Sequence, residues 1–268
     1  MYSLKDKIAV VTGAGSGIGR ALAQNLAARG CRLALADIDE AGLGETAALL
    51  PAETDVMQAR LDVADRAAVY DFAARVKQTF GTAHVVVNNA GVAVSQTIEN
   101  LSYEDFEWLM GINFWGVVYG TKAFLPLLRA QNEGAIVNLS SVFGIIAVPT
   151  QGAYNAAKFA VRGFTEALRH ELRGTGVKAI CVHPGGIKTN IARRARFYAD
   201  PSGETDQAKA AAHFDRLART TPERAAEIIV RGVERGTPRV LIGADAWLID
   251  RIQRWFPVSY WSLMARFV

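Results

Sequence analysis

Thr12-Gly13-Ala14-Gly15-Ser16-Gly17-Ile18-Gly19 ends an apolar run at 8–12 and opens a segment with helical spacing. Glycines placed this way let the chain turn sharply from strand to helix, so that main-chain N–H groups and the positive helix end can approach a pyrophosphate. The spacing is G-x-x-x-G-x-G rather than G-x-G-x-x-G, so the loop takes its meaning from its surroundings. Asp37 supplies them: it ends the next strand-like run, 32–37, near the distance at which an acid accepts hydrogen bonds from an adenosine ribose. A carboxylate there repels a 2′-phosphate, so the expected cofactor is NAD rather than NADP. Asp39 and Glu40 read as solvated loop charges.

Outward from this loop, short apolar or β-branched runs at 8–12, 32–37, 57–61, 85–88, 135–140, 178–182 and 239–242 alternate with helical segments at 19–29, 66–80, 103–130, 154–173 and 222–235. That order predicts one doubly wound Rossmann-type α/β domain over 1–268, with a seven-stranded parallel sheet and helices on both faces. Thr221 before Pro222 and Glu223 is a helix start, an N-cap followed by proline and an acid. The polar, Ala- and Arg-rich stretch 191–220 follows a Pro-Gly-Gly turn and is expected to form a substrate lid at the C-terminal ends of the strands.

Composition excludes several function classes. Of 268 residues, 50% are hydrophobic and 21% charged, the usage of a folded chain rather than a disordered one. Thirty Lys and Arg against 26 Asp and Glu give a net charge of +4, short of the clustered basic field that nucleic acid requires. Cys31 and Cys181 have no disulfide-framework or zinc spacing, which fits a reducing compartment. The first seven residues carry no apolar signal segment, so a cytoplasmic location is expected. The sequons at Asn100 and Asn138 then read as chance matches. The charge-free stretch 134–157 holds too many polar groups for a membrane span. His170-Glu171 lacks a second histidine at metalloprotease spacing, and no metal site is expected. No G-x-S-x-G elbow exists for a serine hydrolase.

Tyr154 and Lys158 stand four apart in a helical segment and so share a face. A phenol titrates near 10, so activity near neutrality needs a drop of about 3 units, or roughly 4 kcal/mol, which Lys158 and a positively charged nicotinamide ring could supply. Ser141 lies at a strand end, where its hydroxyl could polarise a substrate carbonyl. Ser140 competes for that role, but strand alternation turns only one of the two hydroxyls toward the site, and spacing favours Ser141.

With these parts in place, the sequence resembles the short-chain dehydrogenase/reductase family, in its branch of single-domain subunits, over nearly its whole length. The cofactor loop of the resemblance contains Gly13, Ser16, Gly17, Ile18 and Gly19. Asn88-Asn89-Ala90-Gly91 looks like the segment that steadies the central strand, and Asp62-Val63 like the pair that holds adenine. Pro184-Gly185-Gly186-Ile187-Lys188-Thr189 looks like the nicotinamide segment, and Asn113, Ser141, Tyr154 and Lys158 like the catalytic set. The resemblance implies hydride transfer between nicotinamide and a secondary alcohol or ketone. Tyr154 would be the acid/base, Ser141 would orient the substrate, Lys158 would hold the nicotinamide ribose, and Asn113 would position a water linking Lys158 to solvent. It also implies a homodimer or homotetramer.

The apolar residues Val142, Phe143, Ile145 and Ile191 suggest a moderately apolar substrate. His183 reads as a structural histidine more readily than a substrate contact, and Arg193, Arg194 and Arg196 as solvated charges more readily than an anion site. The tail 245–268 is amphipathic, with Trp247, Trp255, Trp261, Phe267, Arg251, Arg254 and Arg266. It is expected to pack on its own or a neighbouring subunit. Membrane contact is the less favoured reading, because Pro257 breaks the helix and Asp245 and Asp250 weaken attraction to anionic lipid. Two alternatives to a soluble dehydrogenase remain: a dinucleotide-binding redox sensor without turnover, and a peripheral membrane dehydrogenase acting on a lipid-like alcohol.

Overall fold

The structure, a computed structural model, describes residues 2–264. Arg266 and Phe267 of the tail lie outside the described residues. Seven strands form one parallel sheet: β1 (Ile8–Thr12), β2 (Arg32–Asp37), β3 (Val56–Arg60), β4 (Val85–Asn88), β6 (Gly134–Leu139), β7 (Val177–Pro184) and β9 (Arg239–Ile242), in the order β3-β2-β1-β4-β6-β7-β9. A second, two-stranded sheet pairs β5 (Val94–Ser95) with β8 (Arg196–Phe197). The expected strands are all present, with β3 and β6 shifted one residue earlier than the apolar runs and β7 beginning one residue earlier and extending to Pro184.

Because the sheet is covered on both faces, its central strands β1, β4 and β6 are buried end to end, while the edge strands β3 and β9 are only partly so, and alternate residues feed two cores. Val11, Leu33, Leu35 and Val87 pack with Leu22 and Leu26 of α1 (Gly17–Ala27) and Ile229 and Val233 of α8 (Pro222–Arg235). Val10, Ala34, Val86 and Ile136 pack on the other face with Phe72 and Val76 of α3 (Arg66–Phe80) and Phe124 and Leu128 of α5 (Gly116–Gln131). Chain order reverses between β1 and β4, and the crevice beyond their C-terminal ends is where this architecture receives a ligand.

Three departures from the expected elements matter. The segment 103–130 is three pieces, α4 (Tyr103–Met110), a π turn (Gly111–Trp115) and α5. The helix α2 (Glu40–Ala48) escapes periodicity because Gly42 and Gly44 interrupt its pattern; the Asp39 carboxylate, accepting from Gly42 N–H at 3.1 Å, starts it. The region 191–220 is not wholly irregular: it holds β8 and α7 (Gln207–Leu217), whose only buried residue is Ala211, too little to leave an apolar stripe in the sequence. After α6 (Gly152–Glu171), α8 and β9, the chain ends in α9 (Ala244–Trp255) and α10 (Tyr260–Met264). Among the described residues no helix is long and apolar enough to cross a membrane.

Asn138, one of the sequon asparagines, is fully buried and works inside the sheet. It accepts from Asn88 Nδ2 at 2.8 Å and donates to Thr165 Oγ1 on α6 at 3.0 Å, tying β4, β6 and α6 together.

Candidate active site

The glycine loop between β1 and α1 has the geometry that its composition requires. Gly13 and Gly17 have φ of +66° and +51°, and a Cβ on Gly19 would stand 1.9 Å from the Gly13 carbonyl oxygen. Ser16 is the extended N-cap of α1, yet its hydroxyl makes no capping bond, which leaves its donor unengaged by the helix. Asn89 fastens the loop to β4: its Nδ2 donates to the carbonyls of Thr12 at 2.9 Å and Gly13 at 3.1 Å. Asp37 closes the far side, its Oδ2 accepting from Gly15 N–H at 2.7 Å and its Oδ1 from Asp39 N–H at 2.9 Å. A cradle that a Cβ would fill, an unengaged cap hydroxyl and a carboxylate at the end of β2 together fit a dinucleotide.

The other residues expected to hold a cofactor are placed as follows. Asp62 accepts from Ala64 N–H at 2.9 Å, and Val63 fills the space over Gly116, where a Cβ would come within 2.8 Å of it. Ala90 lies against Gly13, and Gly91 lies beside Asn113 and Lys158. Pro184 ends β7, Ile187 bridges to Thr220, and the Thr189 methyl meets the position a Gly17 Cβ would take at 3.2 Å.

Ser141, Tyr154 and Lys158 come together at the C-terminal end of β6. Ser141 caps a short 3₁₀ turn, its Oγ accepting from Phe143 N–H at 3.1 Å. The Phe143 ring stands edge-on to Tyr154 with centroids 6.0 Å apart. Ser140 points the other way, donating to the Lys158 carbonyl at 2.8 Å, as strand alternation requires. Lys158 is buried, its Nζ donating to the Leu139 carbonyl at 3.0 Å and standing 5.5 Å from the Tyr154 ring centroid.

Burial dominates the electrostatics. It pushes the Tyr154 phenol up to about 12, opposed in smaller part by the polar influence of the Ser141 side chain, and pushes Lys158 down to about 8. In the chain alone burial outweighs any lowering of the phenol; the expected drop calls on Lys158 together with a positively charged nicotinamide ring.

Asn113 sits in the π turn and is fully buried. Its amide is engaged on both sides by Val92, donating to the carbonyl and accepting from the N–H, each at 2.8 Å. His183 is a structural residue: fully buried, it meets the Ser141 carbonyl through Nδ1 at 3.0 Å. A carbonyl can only accept, so Nδ1 carries the proton. Burial pushes this imidazole down to about 4.

The three arginines after β7 all pair with carboxylates: Arg193 with Asp215, Arg194 with Asp39 at 3.6 Å, and Arg196 with buried Asp105 at 2.7 Å. Arg196 also lies over the Trp108 ring at 3.7 Å. Val142 and Ile145 are core residues, leaving Phe143 and Ile191 as the half-buried members of the apolar set.

Several organising residues are not apparent from motif spacing. Thr12 Oγ1 accepts from the N–H groups of Asn89 at 3.1 Å and Ala90 at 3.2 Å. Arg20 clasps the carbonyls of Gly15 at 2.6 Å and Gly42 at 3.2 Å. Asp245, read as a charge weakening lipid contact, accepts from Gly186 N–H at 2.6 Å and so steadies the 184–189 segment. Its place in the first turn of α9 is a sequence signal, but its partner is distant in the chain. Among the described residues no cluster of His, Cys, Asp and Glu could hold a metal, and Cys31 and Cys181 are both buried free thiols.

Residues 7–197 match the short chain dehydrogenase family. The Mycobacterium tuberculosis protein SadH, described as an oxidoreductase, is 52% identical over 269 residues, covering 99% of this chain and 96% of its own. A short chain dehydrogenase/reductase from Burkholderia phymatum, solved in complex with NAD, superposes with a TM-score of 0.88 at 32% identity over 95% of each chain. Levodione reductase superposes with a TM-score of 0.81 at 27% identity, covering 91% of this chain and 98% of its own.

Proposed function

The chain belongs to the short-chain dehydrogenase family, and from that premise we propose that it is an NAD(H)-dependent oxidoreductase interconverting a secondary alcohol and its ketone. The observation that carries this reading is the convergence of Ser141, Tyr154 and Lys158 at the end of β6, on the crevice that the glycine loop and Asp37 border. When bound, the dinucleotide supplies the hydride acceptor or donor and, when oxidised, a positive ring.

The rest is the work of this chain's own groups. Tyr154 Oη takes the hydroxyl proton during oxidation or gives it during reduction, and the Ser141 hydroxyl orients the reacting oxygen beside it. Lys158, already desolvated, holds the nicotinamide ribose and a positive charge on the Tyr154 face. Because the Asn113 side chain is held by Val92, the water-positioning role implied by family resemblance passes to the main chain of the widened π turn. Asp37 favours NAD by setting a carboxylate where a 2′-phosphate would lie. Phe143 and Ile191 favour a moderately apolar substrate. Exposed Trp115 in the π turn and Phe159 on α6 support assembly as a homodimer or homotetramer.

Tyr154→Phe tests the mechanism. Turnover of a responsive alcohol is expected to fall by roughly 10²- to 10⁴-fold while NADH fluorescence titration gives an unchanged Kd. Near-normal turnover would remove Tyr154 from the role.

A further inference from the structure

The solvent side of α9 inverts the usual pattern of a surface helix. Trp247, Leu248, Arg251, Arg254 and Trp255 share one face by their spacing, and the structure leaves all five exposed. Ala246 and Asp250 are turned into the protein. The apolar stripe therefore continues outward, through Phe256 and Val258, the latter 93% exposed. A contiguous exposed apolar surface rimmed by polar groups marks an interaction site.

Charge identifies the partner. The acids of the segment are both engaged by the protein: Asp250 is buried and holds Arg239 at 2.5 Å and Arg254 at 3.0 Å, and Asp245, exposed in the first turn, accepts from Gly186 N–H. What faces out beside the tryptophans is Arg251, its guanidinium 4.1 Å over the Trp247 ring, and the exposed flank of Arg254. Of the acids that counted against lipid contact in the sequence, Asp250 is buried, and Asp245 stands to one side of the face that Trp247, Arg251 and Trp255 share. The platform is also fixed to the body of the protein, since Tyr260 Oη accepts from Ala147 N–H at 2.9 Å.

We propose that the outward face of α9 and the turn after it dock on an anionic lipid surface, the tryptophans and Phe256 entering the headgroup boundary and the arginines meeting lipid phosphates. Indole rings with arginines beside them suit that boundary, where one end of the side chain is apolar and the other wet. A second copy of the chain fits less well: a two-fold contact would bring together two identical patches that each carry Arg251 and Arg254, like charge facing like. The proposal stands on surface chemistry and does not depend on the catalytic reading.

The test is flotation of the full chain with vesicles of phosphatidylcholine enriched in phosphatidylglycerol, against vesicles of phosphatidylcholine alone. The protein is expected to float with the anionic vesicles and to be released by salt. Replacing Trp247 and Trp255 together by Ala is expected to weaken binding at least roughly tenfold. Arg251→Gln, which removes one exposed charge and no buried contact, is expected to weaken it about fivefold. Circular dichroism confirms that each variant is folded. Failure of the unmodified chain to float with anionic vesicles, or flotation unchanged in the double variant, would overturn the proposal. So would light scattering showing an oligomer that dissociates on the same substitutions, which would assign this face to a second copy.

Discussion

Asp37 and His183 show how much one side chain can determine. Asp37 is bound by two main-chain N–H groups, so its carboxylate cannot swing aside for a 2′-phosphate. Asp37→Ala is expected to narrow the ratio of NADP to NAD affinity by roughly tenfold or more, read by fluorescence titration; tighter binding of NADPH than NADH by the unmodified chain would reject the assignment. His183 makes a different prediction. Its folded pKa is depressed to about 4 from the ordinary 6.5, so between those values the unfolded chain binds more protons than the folded one. Stability is therefore full above the upper value and lost as pH falls toward the lower, by on the order of 3 kcal/mol. Urea denaturation near neutrality and near pH 4 measures the slope, which His183→Asn, keeping a donor for the Ser141 carbonyl, should flatten. At this scale the sequence was most informative for Tyr154, Lys158 and Ser141, where spacing along one helix and one strand places the groups. It was least informative for Arg20, Asp245 and Asp105, whose partners lie across the fold and leave no local trace.

Elements were legible where burial imposes a period. The strands and the helices α1, α3 and α8 bury a continuous apolar face and announce themselves. The helices α2 and α7 do not, because capping acids rather than apolar stripes start them. The π turn is invisible for another reason: widening one turn leaves the apolar pattern around it almost unchanged. The segment after β7 is held by more than its hydrophobicity suggests. The pairing of β8 with β5, the Arg196–Asp105 ion pair and the Arg196–Trp108 contact fasten its start, and Ser95 Oγ donates to the Ala199 carbonyl at 2.6 Å. Arg196→Ala leaves a buried carboxylate without its cation. It is expected to cost about 3 kcal/mol at most, given the half-exposed arginine, and to speed proteolytic cleavage within 191–220. Unchanged cleavage would show that β8 and Ser95 hold the segment without it.

For the whole molecule, alternation of strands and helices was enough to give the class and the strand number, but not the order of strands or the small second sheet, because pairing partners are set by packing that no single run of sequence encodes. The crevice proposed for the dinucleotide lies at the C-terminal ends of the strands, among them β1, β2, β4, β6 and β7, so ligand binding should be read by the entire fold. NADH at a hundredfold excess over its Kd is expected to add about 2.7 kcal/mol and to raise Tm by roughly 5–10 °C, in the unmodified chain and in Tyr154→Phe alike; no shift would contradict dinucleotide binding. One contact has a wider consequence. Ser140 Oγ meets the Lys158 carbonyl, and Lys158 Nζ meets the Leu139 carbonyl, so β6 and α6 are riveted directly to each other from both sides. The register of β6 against α6 is thereby set by these two bonds and not by the whole of the intervening loop, 142–151. That divides the loop's work: Val142, Phe143 and Ile145 must keep their packing, while exposed Ala147 and Pro149 are positions where descendants of this chain, or designers, can vary the rim of the crevice.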